Sequence, residues 1–162
     1  MKPALLVIDM QKASYFGPSS ASMDKAAEVI NKAAALFRKK GLAVVWIQQD
    51  NGTDAIQGTE KFKLLDSLIP LDSEKKIVKH YENSFIKTDL AEFLKLEKVD
   101  TPIISGYCAE YCVLSTYRGA KEQDLDPLLL KNGIAGGTPE YLCMVEQICE
   151  SLSPLALEKL LH

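Results

Sequence analysis

Two hydrophobic rhythms alternate along the chain. Ala4–Ile8 is a continuous apolar run stopped by Asp9, the pattern of a strand covered on both faces. From Met23 to Lys40 the apolar positions Ala26, Val29, Ile30, Ala33, Leu36 and Phe37 recur every three or four residues, with Gly41 as a C-terminal stop. That spacing predicts an amphipathic helix. Leu42–Ile47 repeats the strand signal, Glu60–Leu68 reads as helix, and Lys76–Lys79 as a shorter third strand. Thr88–Leu96 is predicted helical with Thr88 as its cap. Thr101–Ser105 is a fourth strand ending at Gly106, and a helix over Tyr111–Glu122 follows it directly. Pro127–Lys131 makes a fifth strand, Pro139–Gln147 a helix and Ile148–Leu152 a sixth edge strand, while Ser153-Pro154 caps a last short helix.

Strands alternating with helices predict an α/β fold: a three-layer, doubly wound sandwich with a mostly parallel, Rossmann-like sheet of five to six strands and helices on both faces. At 162 residues and 47% hydrophobic composition the chain suits a single domain over residues 1–162. A net charge of -3 supplies no drive toward nucleic acid or anionic membrane, and neither is expected as a partner. No apolar run approaches the roughly 18 residues of a membrane span, and the four sparse cysteines lack the spacing of a disulfide framework. A soluble, cytoplasmic protein with free thiols is the expectation.

In open parallel sheets, sites form beyond the carboxyl ends of the strands. Four features fall there: Asp9-Met10-Gln11, Gln49-Asp50, Lys79-His80, and Gly106 to Cys112. Alone, Asp9 reads equally as a turn former, Cys112 as a small core residue and Lys79 as a solvated strand end. Together they are the right types for one chemistry. A thiolate nucleophile needs a base to accept its proton and a positive charge to stabilise the anion. Cys112 near a helix start is expected to ionise more easily than a free thiol. Strands one and four should be neighbours, so Asp9 and Cys112 should be close, with Lys79 reaching in from further out. The polar stretch Gln48–Glu60 is a candidate mobile loop over the site.

Leu6-Val7-Ile8-Asp9-Met10-Gln11, then Lys79 with Ser84-Phe85 and Thr88-Asp89-Leu90, then Gly106 to Tyr117 resemble, in order, three segments of the isochorismatase-like cysteine hydrolases. The resemblance implies Asp9, Lys79 and Cys112 as the catalytic set. It also implies a non-proline cis peptide between Tyr107 and Cys108, and an oxyanion hole made by the backbone N–H groups of Cys108 and Cys112. Three departures matter. Ala109-Glu110 stands where many members have Thr-Asp or Thr-Asn, so the pocket wall is altered. With only His80 and His162, the His-rich metal site of the family's nicotinamidases cannot be built, so neither metal nor cofactor is expected. The chain is also shorter than typical members, implying trimmed loops and a homo-oligomer whose neighbouring subunit completes the pocket.

The expected activity is hydrolysis of a small, non-peptide amide-like C–N bond through a thioester on Cys112. Tyr15, Phe16, Phe85 and Tyr107 are candidate pocket residues for such a small-molecule substrate. Three other readings stand beside it. One is vinyl-ether hydrolysis of the isochorismatase type, another is thiol redox sensing by Cys108 and Cys112, and the third is a non-catalytic binding module.

Overall fold

The computed structural model describes residues 1–162. Its strands are β1 (Pro3–Ile8), β2 (Val44–Gln49), β3 (Lys75–Lys79), β4 (Thr101–Tyr107), β5 (Leu128–Ala135) and β6 (Ser151–Leu152). The helices are α1 (Gly17–Lys39), α2 (Leu90–Leu96), α3 (Leu114–Lys121), α4 (Pro139–Ile148) and α5 (Pro154–Leu160). One parallel sheet in the order β3-β2-β1-β4-β5-β6 takes in every strand, which is the doubly wound α/β arrangement expected. No helix is long and apolar enough to cross a membrane.

All of β1 is buried because apolar layers cover both sides of it. Leu6, Ile8, Val45 and Ile47 face Leu90, Leu94, Tyr117, Ala120 and Val145 on one side. Leu5, Val7, Val44 and Trp46 face Met23, Ala26, Ile30, Phe37 and Leu157 on the other. Truncating one of the large core side chains, such as Phe37, costs about 3–5 kcal/mol in a close-packed interior of this kind.

α1 begins at Gly17, well before the apolar periodicity starts at Met23, because Pro18 sits in its first turn where no intrahelical N–H is needed. It stops as Gly41 predicts. Gly41 has φ 65°, its N–H meets Arg38 O at 3.0 Å and the Leu42 N–H reaches Phe37 O at 2.9 Å. Ser153 caps α5 by accepting from the Ala156 N–H at 3.1 Å.

Elsewhere the sequence pattern misleads. Glu60–Leu68 is not a helix, because its backbone is claimed by the chain leaving β1. Gln11 bridges Leu64, Lys12 N–H bonds Lys63 O at 2.9 Å, and Leu65 N–H bonds Met10 O at 3.0 Å. α2 starts at Leu90 after Asp89, with Thr88 Oγ1 taking the Leu90 N–H at 3.3 Å. β5 continues past Lys131 to Ala135, since Asn132, at φ 62°, forms a bulge opposite β4. The sixth strand is only Ser151–Leu152, Ile148 being the end of α4.

Candidate functional site

Parallel registers bring four strand tips into one plane. Ile8 pairs with Ile47 on one side and Gly106 on the other, and Gln49 pairs with Lys79. Asp9, the residue leaving β1, takes a left-handed φ of 47°, which turns it off the strand path. Such a conformation costs a non-glycine residue on the order of 1 kcal/mol and clusters at functional positions.

Lys79 reaches past the tip of β2 to this carboxylate, with Nζ 2.9 Å from Asp9 Oδ2. Its other donors go to Gln49 Oε1 at 2.8 Å and Tyr81 O at 2.9 Å. The side chain is fully buried, so the solvated-lysine reading does not hold. Three donors meet three acceptors, which is what a buried ammonium requires. Gln49 Oε1 also accepts from Cys112 Sγ at 3.3 Å, so one carbonyl oxygen touches both the lysine and the thiol. Gln11 fixes Gln49 in turn, donating to Gln49 O at 3.0 Å and accepting from the Gln49 N–H at 2.8 Å. The second Asp9 oxygen, Oδ1, is buried without a hydrogen-bond partner.

The exit of β4 delivers the thiols. Gly106 has φ 113°, and a Cβ there would lie 2.0 Å from Ile8 O, so only glycine lets β4 run this close to β1. The Tyr107–Cys108 peptide is cis. Ala109–Val113 then forms a wide π-helical turn containing Cys112, a feature frequent at functional sites. No backbone carbonyl takes up the Cys108 N–H. On the far side of this turn Thr116 locks the lysine segment, accepting from the Ser84 N–H at 3.0 Å, with the two hydroxyls 2.8 Å apart.

Burial pushes the Asp9 carboxyl above the usual carboxylate range, with Lys79 pulling the other way. Burial also pushes the Cys112 thiol up, and the Asp9 charge adds to this against the opposing pull of Lys79. This corrects the expectation of an easily ionised Cys112. The wide turn holds the sulfur inside the protein beside a carboxylate, and desolvation outweighs the cation. Cys108 is pushed up to about 12 by burial and by Glu110, whose Oε2 accepts its thiol at 3.0 Å. Burial therefore works against ionisation of both the Cys112 thiol and the Asp9 carboxyl, with Lys79 bonded directly to Asp9 as the opposing influence.

These groups border a cavity of about 350 Å³. Asp9, Cys108, Cys112 and Tyr107 line it, and Tyr107 OH lies 3.1 Å from Ser19 Oγ. The other three candidate pocket aromatics are elsewhere. Tyr15 turns its hydroxyl to Asp24 at 2.9 Å, Phe16 is 68% exposed, and Phe85 packs into the apolar layer under α2 and α3. Their place is taken by Gln11, Ser14, Gln49, Asn51, Glu110 and Tyr111. Gln11 and Gln49 stood at strand ends in the sequence without a role, while Glu110 was visible only as a departure from the family pattern.

The Gln48–Glu60 segment contributes Asn51 and Ala55 to the wall and is braced by its own side chains. Asn51 Oδ1 accepts from the N–H groups of Thr53 and Ala55, and Asp50 from those of Gly52 and Gln57. His80 Nδ1 lies 3.1 Å from Asp50 O, and no three His, Cys, Asp or Glu side chains converge in a group that would hold a metal. The donor set of a catalytic metal is not assembled.

The isochorismatase domain family model matches residues 3–144. The isochorismatase family protein YrdC of Bacillus subtilis (strain 168) is 34% identical over 140 residues, covering 83% of this chain and 74% of that protein. Among solved structures, an isochorismatase-like hydrolase from Alkaliphilus metalliredigens superposes with a TM-score of 0.88 at 24% identity, over 100% of both chains. N-carbamoylsarcosine amidase from Thermoplasma acidophilum superposes with a TM-score of 0.83 at 23% identity, over 94% of this chain and 95% of that one. At these identities the two structures speak to the fold.

Proposed function

The chain belongs to the isochorismatase family of hydrolases, and from that premise we propose that it cleaves a small, non-peptide amide through a thioester on Cys112. The observation that carries this reading is the buried, unpartnered Asp9 Oδ1 in the same cavity as the Cys112 thiol. A buried carboxylate oxygen without a donor is unfavourable by about 1–3 kcal/mol in a finished fold. It is suited to a site where a proton arrives during the reaction.

Because burial disfavours the free thiolate, proton transfer accompanies attack. Cys112 Sγ bonds to the carbonyl carbon as its proton passes to Asp9, and the carbonyl π electrons move onto oxygen. The unclaimed Cys108 N–H and the Cys112 N–H serve as oxyanion donors, each worth roughly 3–4 kcal/mol of barrier. Collapse re-forms the carbonyl and breaks the C–N bond, and the proton on Asp9 leaves with the nitrogen. Water then attacks the thioester, gives a proton to Asp9, and the C–S bond breaks. The departing sulfur recovers that proton. Lys79 holds Asp9 in place and offsets the charge that passes through the site. The name of N-carbamoylsarcosine amidase, a structural relative, supports a C–N bond as the target.

The test is ammonia release from a panel of short primary amides, with wild type and Cys112→Ala compared alongside intact-mass detection of an acyl adduct. Turnover with an adduct on Cys112, both lost in the variant, is expected. Full activity in Cys112→Ala would overturn the assignment.

A further inference from the structure

We propose that the cavity selects an amide whose far end is positively charged, with the Glu110 carboxylate as the counter-ion for that group. The inference rests on the hydrolase reading and adds the class of substrate to it.

Only two charged side chains line the cavity, Asp9 and Glu110, and both are acidic. Asp9 is answered by Lys79 at 2.9 Å. Glu110 is answered by nothing charged, since it enters none of the protein's ion pairs. Its one side-chain partner is the Cys108 thiol, 3.0 Å from Oε2. A thiol is a weak donor and carries no positive charge, so it does not serve as a counter-ion to this carboxylate. Lys79 cannot turn to help, because its three donors are already placed.

Glu110 Oε2 rests against Gly136, where a Cβ would come within 3.3 Å of it, so Oε1 is the carboxylate oxygen without a hydrogen bond to the protein. Tyr107 and Tyr111 line the same cavity, and aromatic rings tolerate a neighbouring cation better than an anion. A substrate carboxylate would meet a like charge and no Arg, Lys or His on the lining. An ammonium or amidinium group would meet a carboxylate that has no ionic partner, within a space sized for a small molecule.

Three alkylating reagents of similar size test this at the thiol itself: anionic iodoacetate, neutral iodoacetamide and cationic 2-bromoethylammonium. Peptide mapping gives the rate at Cys112 relative to Cys143, an exposed thiol outside the cavity that serves as internal reference in the same sample. Relative to Cys143, Cys112 should favour the cationic over the anionic reagent by about tenfold, the size of effect one nearby carboxylate produces at intermediate dielectric. Glu110→Gln should collapse that preference and Glu110→Asp should keep most of it. An unchanged ratio in Glu110→Gln or a preference for iodoacetate would each overturn the proposal. The hydrolase reading fails separately. If Cys112→Ala keeps full amide turnover while the charge ordering persists, the nucleophile assignment is wrong and the cation preference stands.

Discussion

Replacing Lys79 by Met keeps most of the side chain's volume and removes the charge that a buried carboxylate depends on. With Nζ 2.9 Å from Asp9 Oδ2 and both side chains buried, the direct attraction is about 6 kcal/mol at an effective dielectric of 20. Desolvation of both ions offsets much of that in the intact protein. The single variant escapes only the lysine's share and leaves Asp9 buried and unpaired, so it should lose about 3–5 kcal/mol. Asp9→Asn should be costly for the mirror reason. Asp9→Asn combined with Lys79→Met removes both charges, and its loss should fall short of the summed single losses by at least about 2 kcal/mol. Urea unfolding read by fluorescence of Trp46, the one tryptophan and fully buried, gives all three differences.

The pH dependence adds a second reading of the same cycle. Without Lys79 the Asp9 carboxyl moves further above its ordinary value. Between the two values the folded protein holds a proton that the unfolded chain has released, so stability falls as pH rises through that window. The deficit of Lys79→Met should therefore shrink between about pH 7 and about pH 5. Additive single losses, or a Lys79→Met variant within about 1 kcal/mol of wild type, would refute the buried-pair account.

Gly106→Ala places a Cβ 2.0 Å from Ile8 O at a φ of 113°. It should cost on the order of 3 kcal/mol in thermal unfolding and lower turnover by parting β4 from β1. In the pH profile of kcat/KM, the acid limb reports deprotonation of Asp9. Because burial raises that group, the limb should lie above the range of an exposed carboxylate, and a limb at the ordinary value would remove Asp9 as the base. The loop carboxylates behave oppositely. Asp54, held by Asn51 and Lys61, and Glu60, held by Lys12 and Lys63, are each lowered to about 2. The bracing they provide is complete above their unfolded values and is lost as pH falls toward 2. Pepsin should accordingly cut near Phe62 far faster at about pH 2 than at about pH 4, relative to a denatured control.

The sheet was legible because apolar runs such as Ala4–Ile8 and Leu42–Ile47 carry strand identity locally, and their alternation with helical periodicity restricts the topology. The nearness of Asp9 and Cys112 followed from that topology, whereas the placement of Lys79 did not and rested on the family resemblance. What local pattern does not carry is competition for backbone hydrogen bonds. Leu64, Leu65 and Leu68 have helical spacing, yet Met10 and Lys12 claim the backbone of their segment. Asn132-Gly133 has turn chemistry, yet neighbouring β4 holds it as a bulge. Of the pocket aromatics only Tyr107 lines the cavity, and the others fail for a related reason, since which way Tyr15 or Phe85 turns depends on Asp24 and on the apolar layer rather than on nearness to Asp9 in the chain. The ionisation of Cys112 was misjudged because a sequence shows the neighbouring lysine and not the depth at which the sulfur lies.

Asp9, Gln49, Lys79 and Cys112 come from the ends of four different strands, and no stretch of chain holds two of them close together. The pairing that joins β1 to β4 links positions as remote as Leu6 and Ser105, 99 apart, as their 2.9 Å hydrogen bond records. Contacts of such sequence separation carry a loop-closure entropy cost that slows their formation. For a chain recovering from denaturant, the expected order is helices early and the assembled site late, which burial of Cys112 against alkylation during refolding would check. During that interval Cys112 is an ordinary thiol on an incomplete protein, lacking both the base beside it and the burial that disfavours its thiolate.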